Sequence, residues 1–559
     1  MSSLDWIVLF GTLILIVGYG VYKTKGSKDI EGYLKGDNSL KWWSIGLSIM
    51  ATQASAITFL STPGQAYQDG MGFIQFYFGL PIAMIIISIW ILPIYYKLKV
   101  YTAYEYLEKR FDLKTRVLGA ILFLIQRGLA AGITIYAPAI ILSTILGWPL
   151  IYTTLIIGIL VIVYTVIGGT KAVSQTQKHQ MMVMMGGMVV AGILIIRMLP
   201  AEVGFSEAVD IAGHLGKLDI IDTTVDPDNR YTLWSGLFGG LFVALSYFGT
   251  DQSQVARYLG GKSLTESRLG LMFNGLLKIP MQFVILFIGA MVFVFYQFNQ
   301  PPLFFNQAAV DEVKANSIGK IAYEETELAY EEVFLLKKEK VHRLAASDNE
   351  EEINALKADI DILERKGDNL REDAKKLISS TNEELETNDT DYVFISFVMK
   401  YLPSGIVGLL LAVIFSAAMS STASELNALA STSIIDVYKR NINKNASPTH
   451  YLVASKMATF IWGAIAIGFA LFAGLLDNLI QAVNILGSIF YGTILGIFLT
   501  GFFLKKIKGQ AVFMTALLAQ AVVLYFYFFS DVAYLWFNVI GCAIVMVFSS
   551  LVQYLFDKK

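Results

Sequence analysis

Charge is scarce in this sequence. Asp, Glu, Lys and Arg make up 16% of its 559 residues, where a soluble domain carries roughly 25%. With 55% apolar residues and a mean hydropathy of +0.57, disorder is excluded and a soluble enzyme is disfavoured. A polytopic membrane protein is expected, with the lipid bilayer as its surroundings. Cysteine is nearly absent. Cys542 stands alone, so no disulfide forms within the chain and cysteine-rich metal sites are excluded. The four histidines, His179, His214, His342 and His450, are scattered. No Walker loop, zinc spacing or nucleophile elbow is present, so neither an enzyme nor an organic cofactor nor a nucleic-acid partner is expected.

The charge that exists is unevenly placed. The formal net charge is −2, yet residues 300–390 hold 12 Lys/Arg and 22 Asp/Glu and carry −10, leaving +8 on the rest. One acidic insert interrupts a slightly basic, apolar body. A bilayer-spanning helix needs about 20 apolar residues. Such runs fall near 4–22, 42–61, 72–96, 117–146, 151–168, 179–199, 233–254, 270–298, 392–432, 454–476, 478–504, 509–529 and 534–556, thirteen in all. The first lacks a basic n-region and a small-residue cleavage site, so it is read as a transmembrane helix and not as a cleaved signal. Every second loop is basic: Lys23, Lys25, Lys28, Lys35 and Lys41 in 23–41, Lys97 to Arg116 in 97–116, Arg257, Lys262 and Arg268 in 255–269, and Lys439, Arg440 and Lys444 in 436–450. The alternate loops are short or acidic. Basic loops face the cytoplasm. The N-terminus and the insert are therefore expected outside a plasma (inner) membrane, and the C-terminus inside.

Within the insert, 320–346 and 350–378 read as two helices joined at Ser347-Asp348-Asn349, a turn that supplies a cap. Ile321, Leu328, Leu335 and Leu336 recur among charges in the first, and Ile353, Leu356, Ile360, Leu363, Leu370 and Leu377 in the second. An extramembranous helical hairpin is expected. It is either a solvated spacer or an element with a partner-binding or gating role, one that contacts another protein.

Three features could carry chemistry inside the bilayer. The second run is rich in small and polar residues, Ser48, Ala51, Thr52, Gln53, Ala54, Ser55, Ala56 and Thr58, ahead of Ser61-Thr62-Pro63-Gly64. Such a helix can unwind where its freed carbonyls face a cavity, and those carbonyls suit a hard cation; the plain alternative is a helix-packing face. In the ninth run, Ser420 and Ser424 lie four apart, as do Ser421 and Glu425. Each pair stacks on one helix face, where hydroxyls and a carboxylate could ligate sodium; the alternative is hydroxyls bonded to their own helix. Arg127 lies about ten residues inside the fourth run, and Lys278 stands beside Pro280 in the eighth. Intramembrane cations face a wet cavity or an acid. The planar fork of Arg127 suits a solute carboxylate or an internal ion pair.

Several stretches resemble signatures of the sodium/solute symporter family. They are Lys41-Trp42-Trp43-Ser44-Ile45-Gly46, Ile135-Tyr136-Ala137-Pro138-Ala139, Tyr164 to Val173, Thr250 to Leu259, the Ser420 to Asn427 stretch, and Asp436-Val437-Tyr438-Lys439-Arg440. The similarity covers about 1–298 and 391–510. It implies an all-α LeuT-like fold of two inverted five-helix repeats, at 42–199 and 233–504, the second interrupted by the 300–390 insert. Residues 1–41 would then be a peripheral helix with a cytoplasmic loop, 200–232 an external loop, and 505–559 two peripheral helices.

The resemblance implies sodium as the coupling ion, held by carbonyls of Ala51, Ala54 and Ala417 and hydroxyls of Ser420 and Ser421. Ser424 and Glu425 are candidate extra ligands, and Glu425 is also a candidate proton carrier. The aspartate with which some members bind a second sodium is Gln177 here, and one of the paired serines is Ala423. The sugar-acid pattern of sialic acid members falls on Ser55, Thr58, Phe73 and Arg127, with departures at Gln53 and Tyr77. The pattern of sugar members falls on Lys278 and the aromatic pair Tyr247 and Phe248. Together these imply a sodium-coupled symporter that imports a small polar solute by alternating access, a carboxylated one ahead of a neutral sugar. A proton-coupled symporter and a transporter-like sensor stay open. The last run ends at 556, so no signalling domain is expected after it, and only the insert could read out occupancy.

Overall fold

The computed structural model describes residues 1–23, 40–347, 349–382, 385–472 and 478–557; the side chains of 17, 19–23 and 167–176 lie outside it. Outside the described residues therefore fall most of the basic loop 23–41, most of the 164–173 signature side chains, Asp348 of the insert turn, and Asp477.

The described chain is helical apart from an isolated bridge between Leu40 and Gly261. Its first half runs α1 (Ser3–Lys23), α2 (Trp42–Gln53), α3 (Ala56–Asp69), α4 (Leu80–Ile86), α5 (Leu92–Leu98), α6 (Glu105–Arg110), α7 (Leu113–Leu146), α8 (Leu150–Arg197), α9 (Phe205–His214), α10 (Gly240–Gly249), α11 (Gln252–Leu259) and α12 (Leu264–Phe298). The insert supplies α13 (Gln307–Ala315), α14 (Ser317–Ala346) and α15 (Glu350–Thr381). Then follow α16 (Val393–Tyr401), α17 (Ile406–Thr432), α18 (Pro448–Ala470), α19 (Leu479–Phe503), α20 (Gly509–Phe529) and α21 (Tyr534–Asp557).

Among the described residues, nine helical runs are long and apolar enough to cross a bilayer, and Ser3–Ile16, Leu150–Val166 and Ser235–Gly249 are shorter apolar helices. Ser3–Ile16 and Leu150–Val166 are parts of the longer helices α1 and α8 that end where the described side chains end, Ser235–Gly249 ends at a helix break, and Ala56–Leu98 takes in residues of two of the thirteen runs. The run Ala56–Leu98 continues through a 3-10 turn at Gly70–Tyr77 and a π turn at Ile87–Ile91. In α8 the Gly168-Gly169 pair lowers helix propensity but removes no N–H donor, and the helix runs through it.

Two apolar crossings are broken in the middle instead: α2/α3 at Ala54-Ser55 and α10/α11 at Thr250-Asp251. Close helix crossings hold them. A Cβ on Gly289 of α12 would lie 2.2 Å from the Pro63 carbonyl of α3, so only glycine lets these backbones meet. At the N-terminus, Asp5 of α1 accepts the Gly405 N–H at 2.6 Å and the Gly408 N–H at 3.3 Å, satisfying donors at the start of α17.

The insert folds as a helical hairpin. Asn316 caps α14 by accepting from Ile318 N, and Asn349 caps α15 by accepting from Glu351 N at 2.9 Å. The apolar positions singled out on α14 do not form its seam: Ile321, Leu328, Leu335 and Leu336 are 57–63% exposed. Tyr323, Tyr330, Phe334, Val341 and Leu344 are buried in their place. The larger rings bury more area per residue, which decides the face.

Candidate functional site

At the α2–α3 break the backbone ladder is interrupted between Gln53 and Ala56. The Ala54 N–H still reaches the Met50 carbonyl at 2.7 Å, but the Ser55 N–H turns to Gln53 O at 3.1 Å. In an unbroken helix it would bond Ala51 O. The released Ala51 carbonyl faces α17, where Ser420 Oγ donates to it at 3.5 Å. One turn away on the same helix, Ser421 Oγ lies 3.0 Å from Ala417 O. Ala54 is fully buried at the break. The contact between α2 and α17 thus offers carbonyl and hydroxyl oxygens and no nitrogen ligand, a donor set that fits a hard monovalent cation.

Ser424 is engaged elsewhere. Its hydroxyl donates to Ser420 O at 2.9 Å and accepts from Gln177 Nε2 at 3.0 Å. Gln177 Nε2 also donates to Thr52 Oγ1 at 3.0 Å, and its Oε1 accepts from Ser48 Oγ. A neutral amide therefore occupies the space among three hydroxyls.

Beside the break lies a cavity with about 870 Å³ of empty space, its mouth included. Its wall includes Gln53, Ser55 and Thr58 from the α2/α3 crossing, Tyr77, Arg127 of α7, Tyr247 and Phe248 of α10, and Glu425 of α17. Arg127 is 4% exposed, and both of its terminal nitrogens are engaged while Nε has no hydrogen bond among the described residues. Nη1 donates to Glu425 Oε1 at 3.0 Å, and Nη2 donates to Asp251 and, at 2.6 Å, to Tyr491 Oη. Its guanidinium carbon lies 5.3 Å from the centre of the Tyr247 ring.

The two acids are held differently. Asp251 caps α11: Oδ1 accepts from Ser253 N at 2.8 Å and Ser253 Oγ at 2.6 Å, while Oδ2 accepts from Tyr491 Oη at 3.1 Å. Glu425 Oε2 takes no hydrogen bond from any described residue, and the nearby Thr134 hydroxyl donates to Ala130 O at 3.0 Å.

Two expected substrate residues are not on the wall. Phe73 stacks on Phe76 with ring centroids 5.6 Å apart. In a 3-10 turn, residues three apart eclipse each other, so Phe76 takes the cavity and Phe73 lies beneath it. Lys278 is fully buried behind Tyr77, its Nζ 5.4 Å from that ring's centroid, with no hydrogen bond to the described residues. The sequence reading missed Asp251 and Tyr491, and also Gln126, Thr134 and Asn484, which line the same cavity. Asp251 had a signal, an acid within the apolar run 233–254. Tyr491 had none.

Both ends of the bundle are tied by polar contacts. At the basic-loop end, Arg116 meets Asp436 and Glu108, each at 2.6 Å. At the insert end, Gln65 of α3 accepts from Gln481 Nε2 at 3.0 Å, and Asp391 accepts from Leu479 N at 3.0 Å.

The profile of the Sodium:solute symporter family matches residues 33–321 and 381–519. The chain is 26% identical over 514 residues to the human sodium/iodide cotransporter, covering 91% of this chain and 67% of that protein. It is 26% identical over 568 residues to a sodium/sialic acid symporter of Proteus mirabilis, covering 99% and 95%. With human sodium-coupled monocarboxylate transporter 1 it shares 33% identity over 273 residues, which is 48% of this chain and less than half, 44%, of that protein. A solved substrate-bound, outward-open Na+-coupled sialic acid symporter superposes with a TM-score of 0.77 at 23% identity, covering 99% of this chain and 98% of that one. That likeness establishes the fold, an all-helical LeuT-like bundle. The profile match spans about three quarters of the chain and leaves out most of the acidic hairpin. The chain belongs to the sodium:solute symporter family.

Proposed function

We propose that this protein is a sodium-coupled symporter that imports a small solute bearing a carboxylate, and that the solute carboxylate replaces Glu425 on Arg127. The observation that carries this is the unequal anchoring of the two acids. Asp251 is fixed by three donors besides Arg127, whereas Glu425 has an oxygen with no hydrogen bond. A buried arginine stripped of its acid is strongly destabilised. Glu425 covers Arg127 when the cavity is empty, and an incoming carboxylate takes its place without leaving the cation bare. Gln53, Ser55 and Thr58 would meet the solute's hydroxyls, and Tyr77, Tyr247 and Phe248 its apolar face.

Sodium at Ala51, Ala54, Ala417, Ser420 and Ser421 would bridge the broken α2/α3 crossing to α17. That ligand set exists only while the two elements are close, so sodium favours one global state over another, which is the requirement for coupling. With Gln177's amide among Ser48, Thr52 and Ser424, we propose a single sodium per cycle. The repeats would be 42–199 and 233–504, each opening on a broken crossing, with the insert outside the cell and the basic loops in the cytoplasm.

The aromatic pair Tyr247 and Phe248, with ring centroids 4.9 Å apart, favours a second reading, a neutral sugar. Thermal stabilisation of purified protein, with and without sodium, against sugars, sugar acids and short organic acids separates the two. Sodium-dependent stabilisation by an acid, lost in Arg127→Ala and strengthened in Glu425→Gln, supports the carboxylate. Stabilisation by a neutral sugar that survives Arg127→Ala sinks it.

A further inference from the structure

α14 has two apolar faces. At about 100° per residue, Tyr323, Tyr330, Phe334, Val341 and Leu344 form the buried one. Ile318, Ile321, Leu328, Leu335 and Leu336 fall within an arc of about 100° on the opposite side, and they are 57–81% exposed. Ile321, Leu328 and Leu335 are spaced seven apart, the interval of a coiled-coil seam. The stripe is about 25 Å long. Three of its five members, Leu328, Leu335 and Leu336, lie in 322–380, which the family profile does not match.

Over the length of the stripe the charges within its arc are acidic; the basic residues near it, Lys340 and Arg343, come after Leu336 and are paired with Asp359 and Glu352 of α15. Glu325 and Glu332 lie inside the arc, and Glu324, Glu331 and Glu339 run along it. Of these, only Glu324 has an ion-pair partner among the described residues, Lys320 at 3.8 Å. We infer that this face of α14 docks an amphipathic helix of another protein, one with an apolar seam repeating every seven residues and Lys or Arg facing Glu325 and Glu332. A second copy of this chain would set glutamates against glutamates. Anionic headgroups would meet the same repulsion. An exposed apolar stripe of this length with an acidic border fits a basic helix instead.

The test uses the full chain in nanodiscs and two synthetic 21-residue helical peptides. Both carry leucine at every seventh position; one has lysine, the other glutamate, at the positions facing Glu325 and Glu332. The lysine peptide is expected to bind, more weakly at higher salt. Affinity should fall at least tenfold in Leu328→Glu/Leu335→Glu, with solute uptake in proteoliposomes unchanged as the control for folding. Glu325→Lys/Glu332→Lys should switch preference to the glutamate peptide. Equal binding of the lysine peptide to wild type and to the leucine variant overturns the inference, as does equal binding of both peptides to wild type. A dimer by light scattering that the leucine variant loses would assign the face to a second copy. Quenching of a fluorophore on Leu328→Cys by headgroup nitroxide lipids would assign it to the bilayer. Either outcome also overturns the inference.

Discussion

Arg127 in the bundle and Arg371 in the insert are both held by carboxylates, but in different ratios. Arg371 of α15 meets one acid. Its Nη2 donates to both oxygens of Asp389, at 2.8 and 2.7 Å, and Asp389 also accepts the Phe305 N–H at 2.7 Å. Both sides of that pair are satisfied, and it clamps the insert to the chain that returns to the bundle. Arg127 meets two acids, and one of them is incompletely bonded. A matched pair can only hold. An arginine with a spare carboxylate can exchange one anion for another without passing through a bare charge. The bundle contains the arrangement with a spare carboxylate, and the junction of the hairpin with the returning chain contains the matched one.

The largest effect should come from breaking the exchangeable centre. Arg127→Ala leaves Asp251 and Glu425 buried without a cation, and losing one partner of a buried pair costs about 3–5 kcal/mol. Uptake in proteoliposomes is expected to fall at least 100-fold, with a lowered melting temperature. Adding Glu425→Gln to Arg127→Ala should recover part of the stability but none of the uptake. If stability did not recover, Glu425 would not be the charge that Arg127 compensates. Next in size is the sodium contact. Ser420→Ala removes the hydroxyl that faces the released Ala51 carbonyl. About a tenfold loss of apparent sodium affinity is expected in sodium-titrated melting, roughly 1.4 kcal/mol, with solute affinity at saturating sodium nearly unchanged.

The fixed pair should matter less. Arg371→Ala leaves Asp389 with a single backbone donor, at a site partly open to water, where side-chain exposure of the arginine is 17%. A loss of about 1–3 kcal/mol is expected, confined to the insert. Hydrogen exchange should rise in α15 and in 385–391 and stay unchanged at the α2–α3 break. Exchange that spread to the break would mean that the hairpin is part of the transport machinery and would dissolve the distinction between the two arginines.

How much of this was legible in the sequence differs between the same two regions. The hairpin's ends were readable, because Asn349 caps through local geometry that one turn of sequence contains. Its packing face was not. Ile321 and Leu328 look like seam residues by spacing, but whether a face is buried depends on what the rest of the chain offers it. In the bundle, the oxygens that the α2–α3 break presents to α17 were readable from small and hydroxyl residues at helical spacing together with the family resemblance. Arg127 was visible because charge is rare in an apolar run, and Asp251 was equally rare and could have been read the same way. Tyr491 could not. Its hydroxyl reaches Arg127 from a helix more than 350 positions away in sequence, and tyrosine in an apolar helix is ordinary.

The smallest effect sharpens the boundary between the regions. Glu386 lies just after the hairpin, with its carboxyl accepting from Tyr392 Oη at 3.0 Å. Burial pushes this carboxyl up to about 8, and the charge of Asp391 adds to the rise. In the unfolded chain it would titrate near about 4.3. A carboxyl raised on folding favours the folded state below its unfolded value. That contribution falls as pH rises from about 4.3 and is gone above about 8, because the unfolded chain loses the proton first. Glu386→Gln cannot ionise. Its melting temperature should match wild type near pH 4.5 and exceed it at pH 8.5, with the difference growing between those limits. A variant that melted below wild type at pH 8.5 would show that the ionised carboxylate is bonded rather than stranded. The junction between insert and bundle would then be a second place where a charge is held ready for exchange, and the matched pair at Arg371 would no longer represent its region.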